Sequence, residues 1–301
     1  MDLKHLRCFV RVAEFGSFAK AAEVLNLAQS TLSRQVRALE IELKISLFHR
    51  NGRGVVLSPM GTRFLEQANG VLRAAELSMQ VLHGDERRLH GRVICGITPS
   101  VGQGMVLEYA RRFRNELPNA SLSVSTHVSK SLFNQIRSSR IDFAIVHNAT
   151  ASNAVEISSL GRQHLYVVGT RPLGTDKKMV DIRFLANVPL VMPKESHSIR
   201  KALELAATQA GISLDIRFEV DFIDALFALV QDGFGHTIST QIATMALPSD
   251  TKLSVQKIIN PILTSEVSLV TFMQRVMTPL QSHAAELAKK TFRDVFKLLE
   301  P

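Results

Sequence analysis

Two short amphipathic segments separated by only three residues are the feature that most constrains the fold. Apolar side chains recur at helical spacing through "FAKAAEVL" at 18–25, which Ser17 can cap, and again from about Gln29 to Leu43. The intervening "NLA" leaves room only for a tight turn, and a further amphipathic helix is predicted over 2–14. Two short helices joined in this way form a helix-turn-helix.

The outer face of the second helix is suited to reading DNA. Leu32, Val36, Leu39 and Leu43 form its inward stripe. The outward face therefore carries short hydroxyls, an amide and two guanidiniums, from Gln29, Ser30, Thr31, Ser33, Arg34 and Arg37. A helix in the major groove needs such a slim face, where Arg can contact guanine, Gln adenine, and Ser bases or phosphates. A solvated surface helix is the alternative, but the face lacks the usual mixture of Glu and Lys.

The next segment predicts a two-stranded wing. In "LFHRNGRGVVLSPMG" at 47–61, Arg50 and Arg53 flank a glycine-containing turn between short apolar runs. Arginines in a wing can reach phosphate or the minor groove. Residues 1–60 hold nine Lys and Arg against five Asp and Glu, a net charge of +4, and the whole chain carries +9. A basic balance favours a polyanionic partner.

A long helix is predicted to begin at Pro59, after the capping residue Ser58. About thirty residues without another proline correspond to a helix of about 45 Å. Its apolar residues follow the alternating spacing of a coiled-coil seam, namely Leu65, Ala68, Leu72, Ala75, Met79 and Leu82. This pattern predicts self-association, with packing against the chain's own core as the alternative. A dimer would present two recognition helices to an operator with dyad symmetry.

From about Gly91 the pattern changes to apolar strand-like runs that alternate with helical ones. Strands are predicted at 92–98, 121–127, 141–147, 164–170, 189–192, 215–220, 236–240 and 266–272, and helices at 102–116, 130–138, 198–210, 222–232 and 279–299. This alternation predicts an α/β fold with parallel sheets. Because the chain returns after about 265, we expect two hinged lobes.

The first sixty residues resemble the winged helix-turn-helix of LysR-type transcriptional regulators. The resemblance rests on "FVRVAEFGSFAKAAEVLNLAQSTLSRQVRALEIELKISLFHRNGRGVVLSPMG", and it departs at Ala28 and Ser30, where the family usually has Ser and Pro. The missing capping Ser should cost on the order of 1 kcal/mol. "SSRIDFAIV", "GRQHLYVVG" and "LVQDGFGHTIST" resemble the family's effector domain more weakly, with Gln163 and His164 in place of the usual Glu-Pro.

The resemblance implies a regulator whose C-terminal domain resembles two-lobed periplasmic solute-binding proteins. We expect a DNA-binding domain at 1–60, a linker and dimerisation helix at 61–90, and an effector-binding domain at 91–301. Lobe one then comprises about 91–162 and 267–301, and lobe two about 163–266. The resemblance also implies tetramers built through the effector domains, and RNA polymerase is a further expected partner.

Strand ends in an open α/β sheet nominate the effector site. The residues nominated in this way are Thr98, Ser100, His127, Ser129 and Asn148 in lobe one, and Ser196, His197 and Arg200 in lobe two. "ESHSIR" at 195–200 precedes a helix, so backbone N–H groups and Arg200 predict a site for a small organic anion, most simply a carboxylate. Helix capping by each Ser or Thr, and a surface ion pair for Arg200, are the alternatives.

Other classes of protein receive less support from the sequence. An enzyme would need a nucleophile or cofactor motif within 91–301, and none is evident, so no catalytic residue or cofactor is predicted. The histidines show no metal-binding spacing, and Cys8 and Cys95 are expected to be free thiols in a reducing cytoplasm. A solute-binding protein would need a secretory signal, and none is expected because charges interrupt the first apolar residues. No apolar run reaches the ~18 residues that a membrane helix needs.

Overall fold

The computed structural model describes residues 2–51, 54–81, 89–247 and 251–299. The N-terminal part contains α1 (Leu3–Phe15), α2 (Phe18–Val24), α3 (Gln29–Leu43), β1 (Phe48–Asn51) and β2 (Gly54–Leu57). The predicted helix-turn-helix and wing are therefore confirmed. Ser17 caps α2, because its hydroxyl oxygen accepts a hydrogen bond from the N–H of Lys20 at 3.4 Å.

Contacts with α3 and with the turn between α1 and α2 fix the position of the wing. A carboxylate oxygen of Glu40, in α3, accepts from the N–H of Leu47 at 2.7 Å and from that of Phe48 at 3.3 Å. Gly54, at the start of β2, packs on the turn between α1 and α2, where an added Cβ would lie 2.6 Å from the carbonyl oxygen of Gly16. The wing therefore has a defined place beside the recognition helix α3.

The linker helix α4 (Pro59–Val81) is partly built into this N-terminal core. Leu65 and Ala68 are buried against α1, in one cluster with Leu6 and Phe9. The expectation that the whole apolar seam serves self-association therefore needs correction, because its first positions complete the chain's own core. Leu72 and Ala75 remain half-buried, whereas the side chain of Met79 and all of Leu82 lie outside the described part.

The C-terminal part consists of two α/β lobes. Its strands are β3 (Gly91–Ile97), β4 (Ala120–Thr126), β5 (Phe143–His147), β6 (Val155–Gly169), β7 (Met179–Asp181), β8 (Pro189–Met192), β9 (Asp215–Glu219), β10 (Thr237–Thr240), β11 (Ser254–Ile259) and β12 (Thr264–Phe272). Its helices are α5 (Pro99–Glu116), α6 (Ser129–Arg137), α7 (Ser198–Gln209), α8 (Ile223–Gln231), α9 (Gln241–Met245) and α10 (Pro279–Leu299). The two-lobed α/β architecture is thus confirmed.

One eight-stranded sheet runs through both lobes in the order β4-β3-β5-β12-β6-β11-β7, and β10 also pairs with β6. The 15-residue strand β6 joins the lobes, because residues 155–164 pair with β12 and residues 165–169 pair with β10 and β11. Opposite β12, Leu160 is an extra residue that forms a bulge.

The expectation of parallel sheets needs correction, because the strand directions are mixed. β3 is parallel to β4 and β5, and β8 is parallel to β9. However, β12 is antiparallel to β5 and β6, and β10 and β11 are antiparallel to β6. Alternation of strands and helices along the chain predicts parallel pairing of successive strands within a lobe. It does not predict the direction of a strand such as β12, which enters the sheet after the chain returns from the other lobe.

The two lobes have separate apolar cores that meet at α5 and α9. Tyr109, Phe143 and Phe292 lie at the centre of the lobe-one core, and a second cluster around Leu203 fills lobe two. Ile242 of α9 extends from lobe two into the lobe-one core. The N-terminal half of α5 therefore lies directly against lobe two.

Candidate DNA-binding surface and effector cleft

The polar face of α3 is open to solvent. Gln29, Ser30, Arg34 and Arg37 are exposed. Thr31 and Ser33 are half-buried at the edge of the face. Of the inward stripe, Leu32, Val36 and Leu39 are buried and Leu43 is half-buried. Among the described residues, neither Arg34 nor Arg37 forms an ion pair. The functional groups of this face are therefore available for a partner.

The start of α3 has no side-chain cap. Its N-cap is Ala28, which supplies no hydrogen bond to the first turn. The first turn of α3 therefore lacks the side-chain oxygen that a capping hydroxyl would supply. In the wing, Arg50 belongs to β1 but its side chain lies outside the description, as does all of Arg53.

Three helices begin around one small cavity between the lobes. The cavity has a volume of about 30 Å³ and is lined by Thr98, Val128, Ser129, Ser196, His197 and Ser198. These residues are the N-caps or first residues of α5 and α6 from lobe one and of α7 from lobe two, together with Ser196. Helix N-termini carry unpaired N–H groups and partial positive charge. Four of the nominated effector residues, namely Thr98, Ser129, Ser196 and His197, therefore meet at this point.

Thr98 is the least satisfied polar group of the cavity. Its side chain is 2% exposed, and its hydroxyl has no hydrogen-bond partner among the described residues. Neither Thr98 nor Val128 caps its helix through a side chain. A buried hydroxyl without a partner is unfavourable by about 1–3 kcal/mol, which a bound acceptor would relieve.

His197 is held neutral at the opposite wall. Burial lowers its pKa, and nearby Asp221 opposes this shift. Its Nδ1 atom accepts from the N–H of Ile199 at 3.4 Å and so caps α7. The positive potential of this wall therefore comes from the helix end and its N–H groups.

Arg200 does not supply the expected positive charge at the cavity. Its side chain is 6% exposed and pairs within lobe two with Glu204 and, at 3.4 Å, with Glu219. The guanidinium also donates to the carbonyl of Pro193 at 3.2 Å. Arg200 lies one turn into α7, so its side chain packs between that helix and β9 rather than at the helix start.

The other nominated residues lie around the cavity and not on its wall. His127 is exposed just after β4, and Asn148 has a left-handed backbone with a φ of 47°. The side-chain oxygen of Asn148 accepts from the N–H of Glu266 at 3.0 Å, which holds β12 against β5. Ser100 lies in the first turn of α5, directed at a histidine.

That histidine, His147, and its second partner Ser265 were missed by the sequence analysis. The ring of His147 lies 2.7 Å from the Ser100 hydroxyl through Nε2 and 2.9 Å from the Ser265 hydroxyl through Nδ1. Its position as the last residue of a predicted strand was an available signal. Ser265 gave none, because its closeness to His147 depends on the return of β12 from lobe two.

Comparison with known families identifies both halves of the chain. Residues 3–62 match the family described as bacterial regulatory helix-turn-helix protein, lysR family, and residues 86–293 match the LysR substrate binding domain. The chain belongs to the LysR family. It is accordingly a DNA-binding transcriptional regulator with an effector-binding domain.

Curated relatives of this LysR-family protein include regulators of nitrogen assimilation. The probable nitrogen assimilation transcriptional activator of Synechococcus elongatus is 29% identical over 298 residues, which cover 96% of this chain and 95% of that protein. The nitrogen assimilation regulatory protein nac of Klebsiella aerogenes is 27% identical over 270 residues, covering 89% and 88% of the two chains.

Solved structures of LysR-family regulators share the fold over nearly the whole length. A full-length OxyR variant from Pseudomonas aeruginosa superposes with a TM-score of 0.80 at 21% identity, covering 97% of this chain and 98% of that one. CbnR, solved in complex with its target DNA, gives a TM-score of 0.67 at 21% identity and covers 97% and 100%.

Two further properties concern the described residues of the LysR-family chain. None of their helices has both the length and the apolar character needed to span a membrane. They also contain no group of three or more His, Cys, Asp and Glu side chains placed to hold a metal ion.

Proposed function

We propose that this regulator binds an operator with dyad symmetry and responds to a small organic anion held between its lobes. The observation that carries the proposal is the convergence of three helix N-termini on one cavity, next to the unpartnered hydroxyl of Thr98. Oriented N–H groups and hydroxyls suit a carboxylate or a related oxyanion. With Arg200 paired inside lobe two, the helix ends supply the positive potential.

The operator is read by the exposed face of α3. In this proposal Gln29 and Arg34 contact base edges, and Ser30, Thr31, Ser33 and Arg37 contact bases or the adjacent phosphates. Arg50 and Arg53 of the wing bind the DNA backbone. The exposure of four of the six helix residues supports this assignment.

Effector binding would act by shifting the balance between two arrangements of the lobes. The cavity of about 30 Å³ has room for little more than one water molecule. A carboxylate therefore binds an arrangement in which the lobes are further apart. A ligand shifts such an equilibrium only by its difference in affinity for the two states.

The proposed assembly is a dimer that can pair into a tetramer. Leu72 and Ala75 line a cavity of about 1260 Å³ between α1, α4 and lobe one, and its apolar wall would receive α4 of a second copy. In this proposal the DNA-binding domain comprises residues 1–60, the linker and dimerisation helix 61–90, and the effector-binding domain 91–301. Ala75 belongs to the seam, lies on this wall and is half-buried, so Ala75→Glu should put a charge into the interface and weaken the dimer. Unchanged light scattering for this variant would remove α4 from the interface.

We further infer that the protein acts in the cytoplasm, where DNA and RNA polymerase are found, and that it is not an enzyme. The Ser100–His147 pair resembles part of a hydrolase site, but Ser100 is 4% and His147 1% exposed. The other ring nitrogen faces Ser265, where a catalytic triad would have a carboxylate. Cys8 and Cys95 are both buried away from the cavity, which argues against thiol chemistry.

The effector site is tested by calorimetric titration of the full-length protein with acetate and with sulfate. Thr98→Val removes the unpartnered hydroxyl at nearly constant volume and should weaken binding of either anion about tenfold. Thr208→Val, in the last turn of α7, is the matched control and should bind as the parent protein does. If Thr98→Val binds both anions unchanged, or if a neutral amide such as acetamide binds as well as acetate, the site assignment fails.

A further inference from the structure

A buried row of hydrogen bonds lies directly behind the effector cavity. Ser100, His147 and Ser265 are connected through the two ring nitrogens of the histidine, and none of them is more than 4% exposed. Ser100 is two residues after Thr98 in the first turn of α5, whereas Ser265 belongs to β12. The row thus extends from the helix start at the cavity to a strand that joins the lobes.

The imidazole of His147 carries a single hydrogen at neutral pH. Burial, with a smaller contribution from His197, lowers the pKa of His147 to about 3. A neutral imidazole donates from one nitrogen and accepts at the other. The two serines therefore cannot have the same role toward the ring.

The distances around Ser265 indicate which nitrogen is the acceptor. The single hydroxyl hydrogen of Ser265 can point to Nδ1 of His147 at 2.9 Å or to Oδ1 of Asn148 at 3.5 Å. The longer contact is at the limit for a hydrogen bond. The single hydroxyl hydrogen of Ser265 is therefore better used on Nδ1, at 2.9 Å, and this would place the ring hydrogen on Nε2.

This tautomer determines what Ser100 can offer a ligand. Nε2–H donates to the Ser100 oxygen at 2.7 Å, so the Ser100 hydroxyl hydrogen is not used on the ring. No acceptor for this hydrogen is present among the residues that the structure describes, and the hydroxyl of Thr98 is likewise unpaired. Two hydroxyl donors without acceptors thus lie at the start of one helix, Thr98 as its N-cap and Ser100 in its first turn.

We propose that His147 is a positioning residue for the effector, which donates from Nε2 and thereby directs the Ser100 hydroxyl as a donor toward an acceptor-rich ligand at the start of α5. The inference rests on the proposed effector site and on the arrangement with the lobes further apart, because Ser100 does not line the small cavity of this structure. It adds the Ser100 hydroxyl to the donors that favour an oxyanion. The opposite tautomer would make Ser100 donate to the ring and present only lone pairs, which suits an ammonium group.

The first test reads the tautomer directly. Full-length protein labelled with ¹⁵N-histidine is measured by magic-angle-spinning NMR at pH 7, where the two ring nitrogens of each neutral tautomer have distinct shifts. The chain has ten histidines, so His147→Gln assigns the signal by its disappearance. We expect a neutral ring protonated at Nε2, and protonation at Nδ1 would overturn the proposal.

The second test measures binding of acetate and sulfate by calorimetry. His147→Leu keeps an apolar side chain of similar size but has no donor, so both anions should bind about tenfold more weakly. His147→Gln keeps an N–H donor within reach of Ser100 and should restore most of this loss. Binding by His147→Leu equal to that of the parent protein would exclude the positioning role.

A third variant covers the case in which His147→Leu does not fold. Ser265→Ala removes the hydroxyl that donates to Nδ1, so part of the ring population should shift to the other tautomer and anion binding should weaken. An unchanged tautomer and unchanged affinity would contradict the argument. If the parent protein binds neither anion, the proposed effector class fails, and with it the positioning role, whereas the NMR result still decides the tautomer of His147.

Discussion

The recognition helix and the effector cleft are built on opposite plans. On α3 the polar side chains point away from the protein, and Gln29, Arg34 and Arg37 are exposed. In the cleft the polar side chains face one another, and Thr98, Ser100 and His147 are all nearly inaccessible. A partner as large as DNA can reach an open face, whereas a small ligand needs groups that converge from several elements. A substitution should therefore act locally on α3 and cooperatively in the cleft.

The largest effect is expected at Gly104, where the lobes meet. A Cβ at this position would lie 2.6 Å from both the carbonyl oxygen and a methyl group of Ile242. Gly104→Ala should therefore lower the free energy of unfolding by about 1–3 kcal/mol, since the backbone of α9 must move. Gly70→Ala in α4 is the control, because nothing lies within 4 Å of that position, and it should raise stability by about 0.5–1 kcal/mol. Equal denaturation midpoints for the two variants would disprove close packing between the lobes.

On α3, Arg34→Ala should weaken operator binding by about 1–3 kcal/mol and relax preference at one base position. Its folded stability should not change, because the side chain is exposed and has no described ion pair. Lys201→Ala removes the same charge from an exposed site in lobe two and should leave operator binding as it is. Fluorescence anisotropy on a panel of substituted duplexes makes the comparison. An unchanged base preference for Arg34→Ala would place the reading face elsewhere.

The buried histidine predicts an acid-sensitive cleft. The pKa of His147 is lowered from about 6.5 to about 3, so the unfolded chain binds a proton between these pH values that the folded chain excludes. The contribution of His147 to the free energy of unfolding is therefore fully present above pH 6.5. It falls as the pH decreases, by up to about 1.4 kcal/mol per pH unit. His147→Gln should flatten the slope of unfolding free energy against pH between 6 and 4. A slope identical to that of the parent protein would show that His147 titrates normally.

The smallest effect is expected at the uncapped start of α3. Ala28→Ser supplies an oxygen for the N–H groups of the first turn and should add about 0.5–2 kcal/mol to the free energy of unfolding. Ala28→Val is the control, because valine has no capping oxygen and is as poor an N-cap as alanine, and it should not raise stability. Thermal unfolding compares the two, and a serine variant no more stable than the valine variant would mean that this cap is not needed.

The sequence predicted most of what is local. The periodicity of α3 identified both its inward and outward faces, and α7 was predicted at 198–210 and is found at Ser198–Gln209. β11 and the first half of β6 were not predicted, because "VEISSLGRQ" mixes polar and apolar residues where one face of the strand is covered only partly. Their pairing is decided by long-range contacts that no short window contains.

In the candidate site, too, the sequence predicted the residues that local features mark and missed the contacts between distant parts of the chain. Thr98, Ser129, Ser196 and His197 were nominated because strand ends and helix starts can be located along the chain, and they do meet at one cavity. Arg200 was expected there because its neighbours in sequence are there. Its carboxylate partner Glu219 comes from β9, a contact that only the fold provides. The pairing of His147 with Ser265 likewise joins residues 118 positions apart.

The bulged strand β6 has a consequence for how the two lobes can move. Because β6 pairs with β12 over residues 155–164 and continues into its pairing with β10 and β11 over residues 165–169, the lobes are coupled by a hydrogen-bonded ladder. Rotation of one lobe against the other must therefore twist this ladder, and bulges are points of increased twist. Leu160, opposite the Val267–Ser268 step, supplies such a point a few residues from where β6 changes partners. Rotation of one lobe against the other should accordingly be small. Part of the free energy of ligand binding should be taken up by the additional twist of this ladder.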